Sequence, residues 1–351
     1  MNPVALYPLR FAPIFQYRLW GGRRLAGLMR APLPGTDPVG EAWLLSDRPD
    51  HQSRVAAGSL TGRTLGELVE EFPEAMLGAL AHRFTRFPLL LKFLDARDVL
   101  SVQVHPSDEQ TDCLPPGESG KTEAWVVLEA EPESRIYAGL RPGSTPEVLR
   151  RALGDGTVAA RLAGFTPRVG DVVYLPAGTV HTLGGNIVAF EIQQNSDVTF
   201  RLYDWDRVDP TTGMPRDLQV DRALACIDFH QGALEPVTPR PDGDLPATRE
   251  PLLRCDHFSL WRIRAQLPVT VGAAGLPRIL TCIAGAGHLD HAGSTYEIAT
   301  GDVVLLPAAV GACLLHPSPD VTVLEAGLPE AGKAGGTGRT DSADLPTGRG
   351  S

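Results

Sequence analysis

The sequence predicts a mainly β protein built from two β-barrels, with a few helices inserted in the N-terminal half. Three observations lead to that class. An internal repeat comes first: Gly170-Asp171-Val172-Val173-Tyr174-Leu175-Pro176-Ala177 returns as Gly301-Asp302-Val303-Val304-Leu305-Leu306-Pro307-Ala308. Each copy reads as a tight turn, a buried strand and a Pro that ends it, so each marks the equivalent edge of one barrel. The second is a series of short β-rich runs broken by Gly, Pro and Asp, at residues 87–94, 124–128, 171–175, 187–192 and 198–202. Many short strands with frequent turn signals favour a sandwich or barrel over a parallel α/β sheet. The third is the scarcity of helical periodicity.

Two segments do carry that periodicity. In residues 61–84, Leu65, Leu68, Val69, Met76 and Leu80 recur at roughly helical spacing, and Thr64 with Glu67 forms a capping box. Residues 145–162 follow the breaker Arg141-Pro142-Gly143 and form the second candidate. The organisation expected is a first barrel with helical insertions over 1–233, a Pro-rich linker over 234–251 and a second barrel over 252–326. The tail 327–351, dominated by Gly, Ala, Ser, Thr and Pro, is expected to be disordered.

The 351 residues suffice for two cores, and 43% hydrophobic with 21% charged residues is ordinary for a water-soluble chain. A net charge of -10 excludes a broadly basic nucleic-acid surface, and no apolar run has the length of a membrane span. The five cysteines, Cys113, Cys226, Cys255, Cys282 and Cys313, are odd in number and include no CxxC pair, which speaks against a disulfide framework or a thiolate metal site. With no secretory pattern at the N-terminus, a cytoplasmic location is expected.

The chemistry concentrates in three segments. Ser101-Val102-Gln103-Val104-His105 reads as a strand with Val102 and Val104 on one face and Ser101, Gln103 and His105 on the other. Lys121-Thr122-Glu123 precedes the run at 124–128, and Lys121, Glu123 and Trp125 alternate onto one face. His181 follows Pro176 by five positions; the same offset in the second repeat gives Ala312. Gln103, His105, Glu123 and His181 therefore make a set of one amide, two imidazoles and one carboxylate, expected in the first barrel alone. Without thiolates, such a set has the ligand chemistry of an open, catalytic metal centre. The other histidines default to surface or structural roles.

The pattern from Gly170 through Pro176 and Gly178 to His181 resembles the second motif of the cupin superfamily, with the expected Asn one position late as Asn186. The larger arrangement resembles type I mannose-6-phosphate isomerases of the short bacterial form. It is carried by Trp20-Gly21-Gly22, Gly40-Glu41-Ala42-Trp43, Phe87-Pro88-Leu89-Leu90-Leu91-Lys92 and the segments at 100–106, 120–125, 176–181 and 193–207. The resemblance implies two cupin-type, jelly-roll-like barrels and zinc-dependent interconversion of mannose 6-phosphate and fructose 6-phosphate. It implies one Zn2+ per chain on Gln103, His105, Glu123 and His181. Lys92 and Ser101 are then expected at the phosphate, and Lys121, Glu191 and Arg201 at the reacting end of the sugar.

Each of these residues also has a plainer reading. Lys92 could pair with Asp95, Arg201 with Asp204 or Asp206, and Glu191 could be either the buried partner of Arg201 or an acid/base group. The proton carrier stays open among Lys121, Glu191 and a metal-bound water. An iron oxygenase of the same fold, a glucose-6-phosphate isomerase and a non-catalytic sugar-phosphate binder are the competing classes. The partner expected is a small sugar phosphate, with the protein a monomer or weak homodimer.

Overall fold

A computed structural model describes residues 5–210, 212–239 and 245–329. Its main antiparallel sheets have six, five and eight strands. The six-stranded sheet runs in the order Val172–Leu175, Glu123–Ala130, Ile187–Gln194, Leu89–Ala96, Ile14–Gly22, Val39–Leu45. The five-stranded sheet runs Leu162–Phe165, Ile136–Leu140, His181–Leu183, Val102–Val104, Phe200–Tyr203. Strand alternation sorts their side chains. Leu94, Ala96, Trp125, Val127, Ala189, Ala138 and Leu183 form one buried cluster between these two sheets. The intervening residues Leu91, Phe93, Val126, Phe190 and Ile192 join a different cluster on the outer side. Val102, Val104, Phe200 and Leu202 likewise turn outwards, into a core shared with Leu149 and Leu224. Residues 92, 101, 103, 123, 191 and 201 share the parity of the inward-facing set, which places them in the barrel interior.

The repeat folds as expected. Gly170 (φ 92°) and Gly301 (φ 89°) make the left-handed turns, and the strands Val172–Leu175 and Val303–Leu306 follow at the same offset. The second copy belongs to the eight-stranded sheet, whose longest strands are Arg278–His291 and Cys313–Gly327. The described helices all lie in the N-terminal part, the last being Val220–Cys226.

Several boundaries differ from the sequence reading. The capping box at Thr64 and Glu67 forms, but the helix Leu65–Glu71 stops before Pro73 and a new one starts at Pro73–Leu77. Pro has no N–H to donate and disfavours helical geometry at the preceding residue, here Phe72 (φ -131°, ψ 52°). The second helix spans only Pro146–Gly154, capped by Thr145, before a 3-10 turn at Val158–Arg161. The strand Ala247–Arg254 begins inside the stretch read as linker 234–251 and pairs with Ser259–Ala265. Leu9–Arg10, assigned by sequence to the first unit, pairs with Leu305 and Val304 of the second. Of the tail 327–351, Gly327 ends a strand, Leu328 is buried, and 330–351 lie outside the described residues.

Candidate active site

Strand register assembles the site. Gln103 sits opposite His181 on one side and Arg201 on the other. In the facing sheet, Trp43, Lys92, Glu191 and Trp125 lie directly across from one another on successive strands. Glu123 is two residues before Trp125 and shares its inward face.

His105, Glu123 and His181 come together, all buried. His181 Nε2 is 3.2 Å from Glu123 Oε1, and His105 Nε2 is 3.5 Å from Glu123 Oε2. The Nδ1 atom of His105 lies 2.8 Å from the Val198 carbonyl, and that of His181 lies 2.9 Å from the Thr179 carbonyl. A carbonyl only accepts, so each Nδ1 carries the proton and each Nε2 presents a lone pair to the carboxylate. That is the tautomer a metal ligand needs, fixed from behind by backbone. Burial first, and then the Lys121 charge, holds His105 well below its ordinary pKa and keeps the ring neutral. Gln103 joins the cluster with its amide nitrogen 3.2 Å from His181 Nε2. Its amide can be turned over within the same space to present oxygen instead.

Glu123 shows whether the group fits a cation. Neither of its buried carboxylate oxygens receives a well-directed hydrogen bond. Burial alone would raise its pKa, yet Lys121 and the two imidazoles hold it well below the carboxylate range. An ionised, fully buried carboxylate facing two imidazole lone pairs is strongly unfavourable unless a cation joins it. Lys121 Nζ, 2.9 Å from Glu123 Oε2 and 3.3 Å from His105 Nε2, supplies part of that charge. The residues present fit a divalent metal.

The remaining candidates share a cavity of about 430 Å3, lined among others by Lys92, Ser101, Gln103, Lys121, Glu191 and Arg201. Lys92 pairs with Glu191 at 2.9 Å rather than with Asp95, which binds Arg24 instead. Glu191 Oε2 accepts from Trp125 Nε1 at 2.8 Å, so Glu191 is the partner of Lys92, not of Arg201. Arg201 makes no ion pair with Asp204, which is held by Arg207 and Arg216; Asp206 accepts from Tyr203. Arg201 Nε donates to Ser101 Oγ at 3.3 Å, and its terminal nitrogen donates to the Asp217 carbonyl at 2.9 Å.

Sequence reasoning missed Glu41 and Arg18 as part of the site. Glu41 accepts from Arg18 and from Trp43 Nε1; Arg18, Glu41 and Lys92 line the same cavity, and the Lys92 Nζ lies 5.2 Å from the Trp43 ring centroid. Glu41 and Trp43 belong to a quoted motif, but only strand pairing reveals that they flank Lys92. Arg18 had no such signal.

A family model described as phosphomannose isomerase type I, catalytic domain, matches residues 9–126. Mannose-6-phosphate isomerase ManA of Bacillus subtilis is 35% identical over 320 residues, covering 87% of this chain and 94% of that protein. A mannose-6-phosphate isomerase of Streptococcus mutans is 32% identical over 305 residues, covering 86% and 93%. In three dimensions the chain is similar to the crystal structure of the Bacillus subtilis mannose 6-phosphate isomerase, with a TM-score of 0.83 and 28% identity over 92% of this chain and all of that one. A phosphomannose isomerase variant from Salmonella typhimurium shares the fold, with a TM-score of 0.70 at 17% identity over 93% of this chain and 100% of that one. The chain belongs to the type I phosphomannose isomerase family.

Proposed function

We infer that the protein is a mannose-6-phosphate isomerase, interconverting mannose 6-phosphate and fructose 6-phosphate. The observation that carries this reading is the buried Glu123, with its two oxygens facing the imidazoles of His105 and His181 beside a polar cavity. Gln103, His105, Glu123 and His181 would hold one Zn2+; nitrogen and oxygen donors without thiolate suit that ion in a catalytic site. When bound, it supplies Lewis-acid polarisation of the carbonyl and hydroxyl oxygens at C1 and C2.

In the aldose-to-ketose direction a proton leaves C2 and returns to C1, while a hydroxyl proton passes from O2 to O1. We assign the carbon proton transfer to Lys121, which lies against the metal-ligand cluster and lines the cavity; it would take the C2 proton as the neutral amine, its charge beside Glu123 being replaced by that of the bound ion. Glu191 suits it less: one oxygen faces Lys92 and the other is held by Trp125.

The phosphate fits best at Ser101 and Arg201, whose side chains already meet. Burial and the neighbouring Arg216 charge lower the pKa of Arg201, so an anion there relieves a cationic site. Lys92, the sequence candidate for that role, stands beside Glu191 and close enough to Glu41 to feel its charge, and a phosphate would meet both carboxylates. Its better use is to position Glu191. A guanidinium against a phosphate also matches the bidentate geometry that oxyanions favour.

The fourth donor, Gln103, and the Arg201–Ser101 pair that suits a phosphate speak against an iron oxygenase, which leaves more of the metal open. The deciding experiment is a coupled assay of zinc-reconstituted protein with mannose 6-phosphate and glucose 6-phosphate in parallel. Turnover of the first with little of the second is expected. Turnover of glucose 6-phosphate alone, or oxygen consumption with bound iron, would replace this reading.

A further inference from the structure

We propose that the second barrel carries its own site for a first-row divalent transition ion, zinc foremost, formed by His288, Asp290 and His316. This is no remnant of the first site, whose histidine counterpart in the repeat is Ala312. It is built from different positions on two neighbouring strands.

His288 and Asp290 are two residues apart on the strand Arg278–His291, so both project from one face. His316, on Cys313–Gly327, is the direct cross-strand partner of His288. The two imidazole rings lie nearly parallel, 8° apart, with centroids separated by 4.8 Å. His316 Nε2 is 3.1 Å from Asp290 Oδ2, and His288 Nε2 is 3.9 Å from Asp290 Oδ1. Thr295 donates to Asp290 Oδ1 at 3.3 Å, steadying the carboxylate from the adjoining strand.

Two features favour a cation over a simple surface ion pair. His316 Nε2 is shielded from water and makes no hydrogen bond, although a carboxylate oxygen stands within reach. A protonated imidazole pairing with Asp290 would direct its N–H at that oxygen, and at 3.1 Å no such hydrogen bond forms. The donor spacing is also right. With metal–donor bonds near 2.1 Å, adjacent donors in a tetrahedral site lie about 3.4 Å apart. The His316–Asp290 pair is already inside that distance, and all three donor atoms lie within 4.8 Å of one another, a gap that side-chain rotation can close. Two imidazoles and one carboxylate select zinc and its neighbours over magnesium or calcium, which take oxygen ligands. Each side chain remains partly exposed, so water completes the coordination. Bound there, the ion ties two long strands of the second barrel together near the hairpin that joins Arg278–His291 to Ser294–Ala299.

The test counts zinc. Full-length protein stripped with a chelator is dialysed against micromolar free Zn2+, and bound metal is measured by mass spectrometry. The paired variant His288→Asn with His316→Asn is expected to hold one Zn2+ per chain fewer than wild type, with isomerase turnover unchanged. Asp290→Asn should bind the same ion at least tenfold more weakly. His291→Asn, whose side chain alternates to the opposite face, should keep the wild-type count. Equal zinc in wild type and the paired variant would overturn the site, as would an equal loss in His291→Asn. Because the readout is a difference between variants that leave the first barrel untouched, it stands apart from whether that barrel performs the isomerisation.

Discussion

Glu123 concentrates the residue-scale argument, because it brings the only negative charge to the proposed donor set of Gln103, His105, Glu123 and His181. Glu123→Gln keeps the shape and removes the charge. We expect metal content to fall by up to one equivalent per chain relative to wild type and kcat/KM to drop by about 100-fold or more, the scale of losing a well-placed electrostatic contact; wild-type zinc content by metal analysis would refute the ligand assignment. Arg201→Met tests the other end of the cavity. If Arg201 grips phosphate, KM for mannose 6-phosphate rises by about tenfold to 100-fold, the worth of a charged hydrogen bond, while the rate measured with unphosphorylated mannose does not change. Equal loss on both sugars would return Arg201 to the reacting end. Glu41 gives a pH prediction. Burial pushes its carboxyl up, but Lys92, Arg18 and the Trp43 N–H outweigh this and bring it down to about 2. A carboxylate depressed in the folded state adds stability that is complete above its unfolded value near 4.5 and is lost as pH falls towards 2. Glu41→Gln should therefore flatten the acid limb of a stability-versus-pH curve between those limits, as read by urea denaturation; an unchanged limb would rule this out. Strand alternation made much of this site legible, since 101, 103 and 105, and 121, 123 and 125, declare their shared faces in the sequence. The partners of Lys92 did not show, because Glu41, Glu191 and Lys92 meet only through the register of three strands far apart in the chain.

At the scale of elements, local signals fixed where helices begin, and a local signal, Pro73, also ended the helix Leu65–Glu71. Thr64 accepts from the Glu67 backbone N–H, and the Glu67 side chain accepts from the Thr64 N–H, as the sequence pattern required. Thr64→Ala removes half of that reciprocal cap and should cost about 1 kcal/mol, seen as a lower urea midpoint at constant slope. A variant as stable as wild type would mean that tertiary packing alone holds this helix. The interruption at Pro73 was present in the sequence, but helical spacing on both sides masked it. Its consequence is structural: after the break, Ala75 and Met76 offer their carbonyls to the N–H groups of Ala309 and Ala308. A continuous helix would have used those carbonyls internally. The repeat told where two equivalent strands lie, yet not that Leu9–Arg10 would extend the sheet of the second copy. Pairing between residues nearly 300 positions apart leaves no local trace.

Across the whole molecule, the two halves are joined by a common core, and this bears on how the protein unfolds. One buried cluster takes Leu91, Phe93 and Phe190 from the first half with Leu280, Leu305 and Leu324 from the second. Arg30 pairs with Asp302 at 3.0 Å across the same boundary, and Phe11 donates its N–H to the Val303 carbonyl. A sequence repeat suggests units that fold separately, but a shared core ties their stabilities together. We therefore expect a single cooperative transition in calorimetry, with tertiary and secondary signals coincident. Gly78 allows the expectation to be tested at the boundary itself. It has φ of 60°, and a Cβ there would lie 2.1 Å from the Gly275 carbonyl oxygen of the second half. Gly78→Ala should cost about 2 kcal/mol or more, since both the backbone conformation and the close approach oppose a side chain. If the halves unfold as one, the entire transition moves down together. If they unfold independently, the trace splits and the mutation displaces only part of it, and the shared core would then count as contact without coupling.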